Sequence, residues 1–141
     1  MFDKWPLFSV EDPEGEDAWA HWAQMKLELD QKKGKDYLLI GDDLFVTNPK
    51  RLEKGITDLV ANGIIIKVNQ TGTLFETLEV VGKAHNAGYT HILSHRSGET
   101  MDTFISDLAA GTAAKYMKSG APFASERVVK YERLEEIRRE L

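Results

Sequence analysis

An α/β fold of about five βα units, with parallel strands joined by crossover helices, is predicted by three features of the 141-residue sequence. Apolar runs alternate with amphipathic helical patterns at a period of about 25 to 30 residues, the length of one βα unit. The run Ile64-Ile65-Ile66-Lys67-Val68 is nearly all β-branched, as in a strand buried on both faces of a parallel sheet. Each apolar run also leads into a polar turn, which is where ligands bind in folds of this class. Periodicity does not separate an open doubly wound sheet from a barrel. The first βα turn lacks a G-x-G-x-x-G fingerprint, which counts against a dinucleotide site. Five units are too few to close an eight-stranded barrel.

Pro6-Leu7-Phe8-Ser9-Val10 reads as the first strand, ending at Glu11-Asp12-Pro13. Trp19, Trp22, Ala23 and Lys26 then share a helical face, the lysine stem covering apolar surface, until Gly34 breaks the helix. Tyr37-Leu38-Leu39-Ile40 is the second strand. Asn48 before Pro49 is a helix start, because the amide can cap and proline suits the first helical position. Leu52, Ile56, Leu59 and Val60 form the apolar stripe of that helix, with Gly63 as its stop. After the isoleucine strand, Thr73-Leu74-Phe75-Glu76 has the spacing of a capping box. Leu74, Leu78 and Val81 continue the face and Gly88 ends it. The run Tyr89 to Leu93 leads into Ser94-His95-Arg96-Ser97-Gly98-Glu99-Thr100. Phe104, Ile105, Leu108 and Ala109 mark the next helix, and Tyr116-Met117-Lys118 is a weak last strand. Ser125 is expected to cap the final helix, whose inward face reads Val129 (or Lys130), Leu134, Ile137 and Leu141.

A hydrophobic content of 42% is enough for a core, and a net charge of -5 argues against nucleic acid or an anionic membrane as partner. With no cysteine there is neither a disulfide framework nor a thiolate metal site, which fits a reducing, cytoplasmic setting. Met1 to Pro6 shows no basic region followed by a long apolar run, so neither a signal peptide nor a membrane anchor is expected.

Residues at or just past the strand ends are Glu11, Asp42, Lys67, His95 with Arg96 and Ser97, and Lys118. A lysine inside an apolar run needs a partner or a purpose, because burying an unpaired ammonium costs several kcal/mol. Glu11 and Asp42 are hard oxygen donors, suited to Mg²⁺ with water and substrate oxygens completing the shell. Near such an ion and near Lys118, like charge and desolvation favour the neutral amine, so Lys67 can serve as a general base. Arg96 can grip a phosphate bidentately, with Ser97 and His95 adding donors. Together these groups suit a phosphorylated, carboxylate-bearing small molecule. His21, His85 and His91 read as structural or solvated, the Trp19 and Trp22 pair as packing, and Glu99 as a turn or helix-start residue.

The segments Ser9-Val10-Glu11-Asp12-Pro13, Gly41 through Pro49, Ile66 through Thr73, Ser94 through Thr100 and Lys118 through Pro122, with Ser125-Glu126-Arg127, resemble the enolase family in order and spacing. The resemblance covers essentially the whole chain. It implies about five βα units of a TIM-type (β/α)8 barrel, with residues 1–141 as a single segment of its C-terminal portion. An N-terminal capping domain and the first barrel strands would then be absent from the chain. It further implies reversible dehydration of 2-phosphoglycerate to phosphoenolpyruvate, a step of glycolysis and gluconeogenesis. By position, Lys67 is the implied catalytic base, and His95, Arg96, Ser97 and Lys118 are substrate ligands. Glu11 and Asp42 are the implied Mg²⁺ ligands, with Asp12, Asp43, Asn69 and Gln70 in support. A third metal carboxylate and the acid that protonates the leaving hydroxyl have no counterpart, so a missing N-terminal half or a homo-oligomer is the implied partner. The alternative is a non-catalytic remnant that keeps Mg²⁺ and anion binding. The chain carries Ala124 where an arginine is usual, Met101 where an acid is common, and Glu136 where the family's dimer-contact arginine falls.

Overall fold

The computed structural model describes residues 5–141; Met1–Lys4, on which most of the N-terminal reading rests, lie outside them. Five strands and five helices alternate: β1 (Ser9–Glu11), α1 (Trp19–Lys33), β2 (Leu38–Gly41), α2 (Pro49–Thr57), β3 (Gly63–Ile66), α3 (Leu74–Asn86), β4 (Thr90–Ser94), α4 (Phe104–Gly111), β5 (Tyr116–Lys118) and α5 (Ser125–Glu140). Sheet order equals chain order, and every neighbouring pair is parallel.

The sheet is curled. Lys118 on one edge strand donates to Glu11 Oε1 on the other at 2.7 Å. In a flat sheet, four interstrand steps would hold those strands about 19 Å apart. Curvature of this degree, with all helices in sequence between parallel strands, makes the molecule an incomplete (β/α)8-type barrel, as the resemblance implied.

Strand alternation sorts side chains onto two faces. One face packs under the helices with Trp22, Leu39, Phe45, Ile64, Ile66 and Leu93 in the main core. The other carries a smaller cluster of Leu38, Ile40, Ile65 and Ile92. All four residues of β3 are buried, in keeping with its β-branched run. Phe45 fills a slot between Gly41 and Gly55, where an added Cβ on Gly41 would stand 2.6 Å from its ring.

Helix signals are met in part. Asn48 accepts hydrogen bonds from the Lys50 and Arg51 N–H groups, with Pro49 first in the helix. Thr73 caps α3 by accepting from the Glu76 N–H, and its hydroxyl donates to the Glu76 carboxylate at 2.8 Å. Several expectations are corrected. The first strand is Ser9–Glu11 and not Pro6–Val10, because its ladder to β2 begins at Ser9. β3 ends at Ile66, so Lys67 and Val68 leave the strand and open a single 3₁₀ turn. Gly63 does not stop α2; it begins β3 and packs against Ile40. Leu59 is mostly exposed and Leu74 and Leu78 nearly half exposed, and α3 is buried through Thr77, Val80, Val81 and Ala84 instead. Ser125 does not cap α5; Ala124 occupies that position with no side-chain bond. Lys130, not Val129, is the buried residue of that helix. Glu136 makes a pair with Arg133 on the helix surface. Among the described residues no helix is long and apolar enough to cross a membrane.

Candidate active site

The concave parity of the strands sets the site. Leu38, Ile40 and then Asp42 follow one another at spacing two, as do Ile65 and Lys67, Ile92 and Ser94, Tyr116 and Lys118. Apolar residues occupy the strand interiors and polar ones the carboxyl ends. Six of the seven residues singled out in the sequence lie at this end and touch one another or share one cavity; Glu11 joins them through Lys118.

Asp42 is buried, and its position is held by Asp12. The Asp12 carboxylate accepts the N–H groups of Asp42 at 2.9 Å and Asp43 at 2.8 Å, from a backbone with φ of 42°. Lys67 donates to Asp42 Oδ2 at 2.7 Å, which gives the lysine the partner its setting demanded. Lys118 Nζ lies 3.9 Å from the same oxygen while donating to Glu11. Two acids and two lysines therefore form a charge-balanced group across the mouth of the sheet. The other Asp42 oxygen, Oδ1, is buried with no hydrogen-bond partner.

Thr47 was not picked out in the sequence, and it orients Lys67. It is fully buried, accepts the Lys67 N–H at 2.9 Å and donates to Gln70 Oε1 at 2.8 Å. Val46 and Thr47 have φ of 43° and 53°, two successive non-glycine residues in the left-handed region. Such conformations cost about 1 to 3 kcal/mol each and persist where surrounding bonds fix them. Nothing about Thr in a sequence announces this.

His95 donates its backbone N–H to the Lys118 carbonyl at 2.9 Å, and its Nδ1 lies 2.7 Å from the same oxygen. A carbonyl only accepts, so Nδ1 carries the proton and Nε2, which lies beside Gly120, is the accepting nitrogen. Arg96 and Ser97 are exposed, and the Arg96 guanidinium donates to Asn69 Oδ1 at 3.2 Å. Lys67, Ser94, His95, Arg96, Ser97 and Lys118 line a cavity of about 350 Å³. Its lining holds three cationic side chains and no acid. A somewhat larger hollow of about 460 Å³ beside Tyr131 and Arg139 lies on α5, away from the strand ends, and gathers no comparable set.

Glu11 and Asp42 offer oxygen donors, and the unpartnered Asp42 Oδ1 is a ready acceptor for a hard cation. Among the described residues no group of three or more His, Cys, Asp or Glu is placed to hold a metal. Among the described residues, Glu11 and Asp42 are thus the two ligands this set offers.

The sequence signature described as "Enolase, C-terminal TIM barrel domain" matches residues 1–141. The chain belongs to the enolase family. It is 54% identical over 138 residues to the enolase of Elusimicrobium minutum, covering 98% of this chain and 32% of that protein. It is 49% identical over 141 residues to the enolase of Mycobacterium leprae, covering 100% of this chain and again 32% of the relative. The chain therefore spans about a third of the length of these enolases, and the curled five-strand sheet is the corresponding part of an enolase barrel.

Proposed function

We propose that this chain supplies the proton-abstracting and phosphate-binding wall of an enolase site. Its substrate is 2-phosphoglycerate, dehydrated reversibly to phosphoenolpyruvate once the remaining part of the barrel completes the site. In this reading residues 1–141 are one segment of the barrel domain, and the capping domain and first strands lie outside it. The observation that carries it is the single cavity shared by Lys67, His95, Arg96, Ser97 and Lys118, with Asp42 and Glu11 bonded to its two lysines.

Arg96 presents parallel N–H donors that match a phosphate, and the Ser97 hydroxyl stands beside it in the lining. Lys118 offsets the substrate carboxylate, and the free Nε2 of His95 adds a hydrogen-bonding point. Lys67, fixed at its backbone by Thr47, takes the proton from C2 when it is present as the neutral amine, out of its pair with Asp42. Glu11 and Asp42 would hold Mg²⁺, the latter through its unpartnered oxygen. Mg²⁺, when bound, supplies positive charge that favours the carboxylate-stabilised anion formed by proton loss. Lys67 and Lys118 stand between the Asp42 and Glu11 carboxylates and the cavity that both lysines line. The hydroxyl leaving C3 needs an acid, and that group belongs to the missing part.

The test follows phosphoenolpyruvate by its ultraviolet absorbance, using the chain with Mg²⁺ alone and with a supplied N-terminal part from a relative. Turnover only in the mixture, lost in Lys67→Ala, supports the proposal. Turnover by the chain alone removes the claim that the acid lies elsewhere. A second reading, a remnant that binds anions without catalysis, is favoured by the lysine pairing of both carboxylates and the lack of a third ligand among the described residues. No turnover in the mixture, with 2-phosphoglycerate still bound, decides for it.

A further inference from the structure

The loop that carries Arg96 and Ser97 is held from outside the site by α5. Lys130 is 1% exposed, and its ammonium has three acceptors. It donates to Thr100 O at 2.8 Å and Glu126 O at 2.7 Å, and pairs with Glu99 Oε2 at 3.0 Å. Three N–H donors meet three acceptors, so the buried charge is fully satisfied. The opposite oxygen of Glu99 accepts the Arg96 N–H at 2.8 Å. One turn earlier on α5, the Arg127 guanidinium donates to Arg96 O at 2.9 Å and to Ser97 O at 3.1 Å. A backbone N–H and two successive carbonyls of the loop are thus gripped by charged groups, while the Arg96 and Ser97 side chains stay exposed.

The bonding pattern is specific to that task. An apolar residue at position 130 would bury similar area without desolvating an ammonium, a cost of several kcal/mol per ion. It could not reach both a loop carbonyl and a loop carboxylate. Ser106, fully buried on α4, donates to Lys130 O at 2.7 Å and fixes the helix that provides the grip. Burial pushes the Glu99 carboxyl up, but the Arg96 N–H and Lys130 outweigh it and hold the group below its usual range, so Glu99 is a carboxylate at neutral pH.

We propose that Glu99, Arg127 and Lys130 are positioning residues that fix the Arg96-Ser97 backbone so that both side chains meet a phosphate ester. This rests on the reading of that loop as the phosphate grip. None of the three lines the cavity, so they act through the loop and not on the ligand.

The test has two readouts on the full chain, taken where circular dichroism shows each variant folded. The first is hydrogen exchange and ¹⁵N relaxation at the Arg96 and Ser97 amides. The second is calorimetric affinity for 2-phosphoglycerate against unphosphorylated glycerate. Arg127→Met, exposed enough to fold, and Lys130→Met are expected to loosen both amides. Each should weaken 2-phosphoglycerate about tenfold, the loss of one charge-assisted bond, with glycerate unchanged. Arg127→Lys, which keeps the charge and one donor point, should restore part of the loss. Wild-type amide order and affinity ratio in folded Arg127→Met overturn the inference. If Arg96→Ala leaves 2-phosphoglycerate affinity unchanged, or the wild-type chain does not bind it, the phosphate reading fails instead, and amide order alone decides whether α5 clamps the loop.

Discussion

Lys67→Met is the substitution that tests the charge group most directly. The Lys67 and Asp42 side chains are 16% and 10% exposed, so the pair is shielded on most sides. Removing one partner of a buried pair costs about 3 to 5 kcal/mol, because the other charge stays desolvated and alone. Lys118 Nζ, 3.9 Å from the same oxygen, softens the loss and places it near the lower figure. Unfolding entropy for a chain of this length is about 0.3 kcal/mol per degree, so a loss of about 3 kcal/mol lowers Tm by about 10 °C. Mg²⁺ at a hundred times its Kd returns about 2.7 kcal/mol, nearly the whole deficit. On the proposed Mg²⁺ reading, the ion would have to displace an ammonium in the wild type and would gain less there. The assay is a pair of thermal melts for each protein, in chelator and in saturating Mg²⁺. A variant melting within about 3 °C of wild type, or an equal Mg²⁺ shift in both, refutes the argument that Asp42 is a buried carboxylate shared by lysine and metal.

Four further outcomes follow from single contacts. Gly55→Ala should destabilise the fold in urea titration by about 1 to 3 kcal/mol: the helix-propensity gain of about 1 kcal/mol is outweighed by a Cβ forced into the Phe45 ring. Thr47→Val keeps shape but strands the Lys67 N–H, and should lose about 1 to 3 kcal/mol in the same titration. Asn48→Ala should cost about 1 kcal/mol, whereas Ser125→Ala should change little, because only Asn48 makes cap bonds. His91 gives a pH test. Burial, opposed by a hydrogen bond with the Thr112 backbone and aided by nearby His85, holds its pKa below 6.5. The unfolded chain takes up that proton first, so stability is whole above about pH 6.5 and falls as pH drops, by at most about 1.4 kcal/mol per unit. His91→Phe should flatten stability between about pH 6.5 and 5, above the range where carboxylates titrate.

Much of this was legible in the sequence where chemistry and periodicity coincide. The unbroken isoleucines announced β3, Asn48-Pro49 and Thr73-x-x-Glu76 announced helix starts, and the strand ends held the charged residues. The failures have physical causes. Leu59, Leu74 and Leu78 were assigned to the core because apolar spacing does not say which flank of a helix a partial barrel leaves open. Ser125 and Ala124 are both allowed at a helix start, and the geometry of the turn chose alanine for the cap. Lys130 could be placed inside only as an alternative to Val129, because its burial depends on three acceptors supplied by Thr100, Glu99 and its own helix. Thr47 gives no such signal, because its hydroxyl reaches Lys67 and Gln70 from a left-handed backbone that the residue type does not announce.

Strand order that equals chain order has a consequence for how durable the site is. Apart from the Lys118 contacts to Glu11 and Asp42, each βα unit of this segment packs on its neighbours, so local opening of the segment starts at its edge strands and works inward, as in a linear array of repeats. The end strands β1 and β5 are also short, three residues each, against four or five in the middle. Glu11 and Lys118 therefore sit on the units that open first, and Asp42 and Lys67 on inner units that open later. The site has a graded lifetime. The Asp42–Lys67 pair outlasts the Lys118–Glu11 bridge, and the chain can lose and regain that bridge without unfolding the strands that hold the pair.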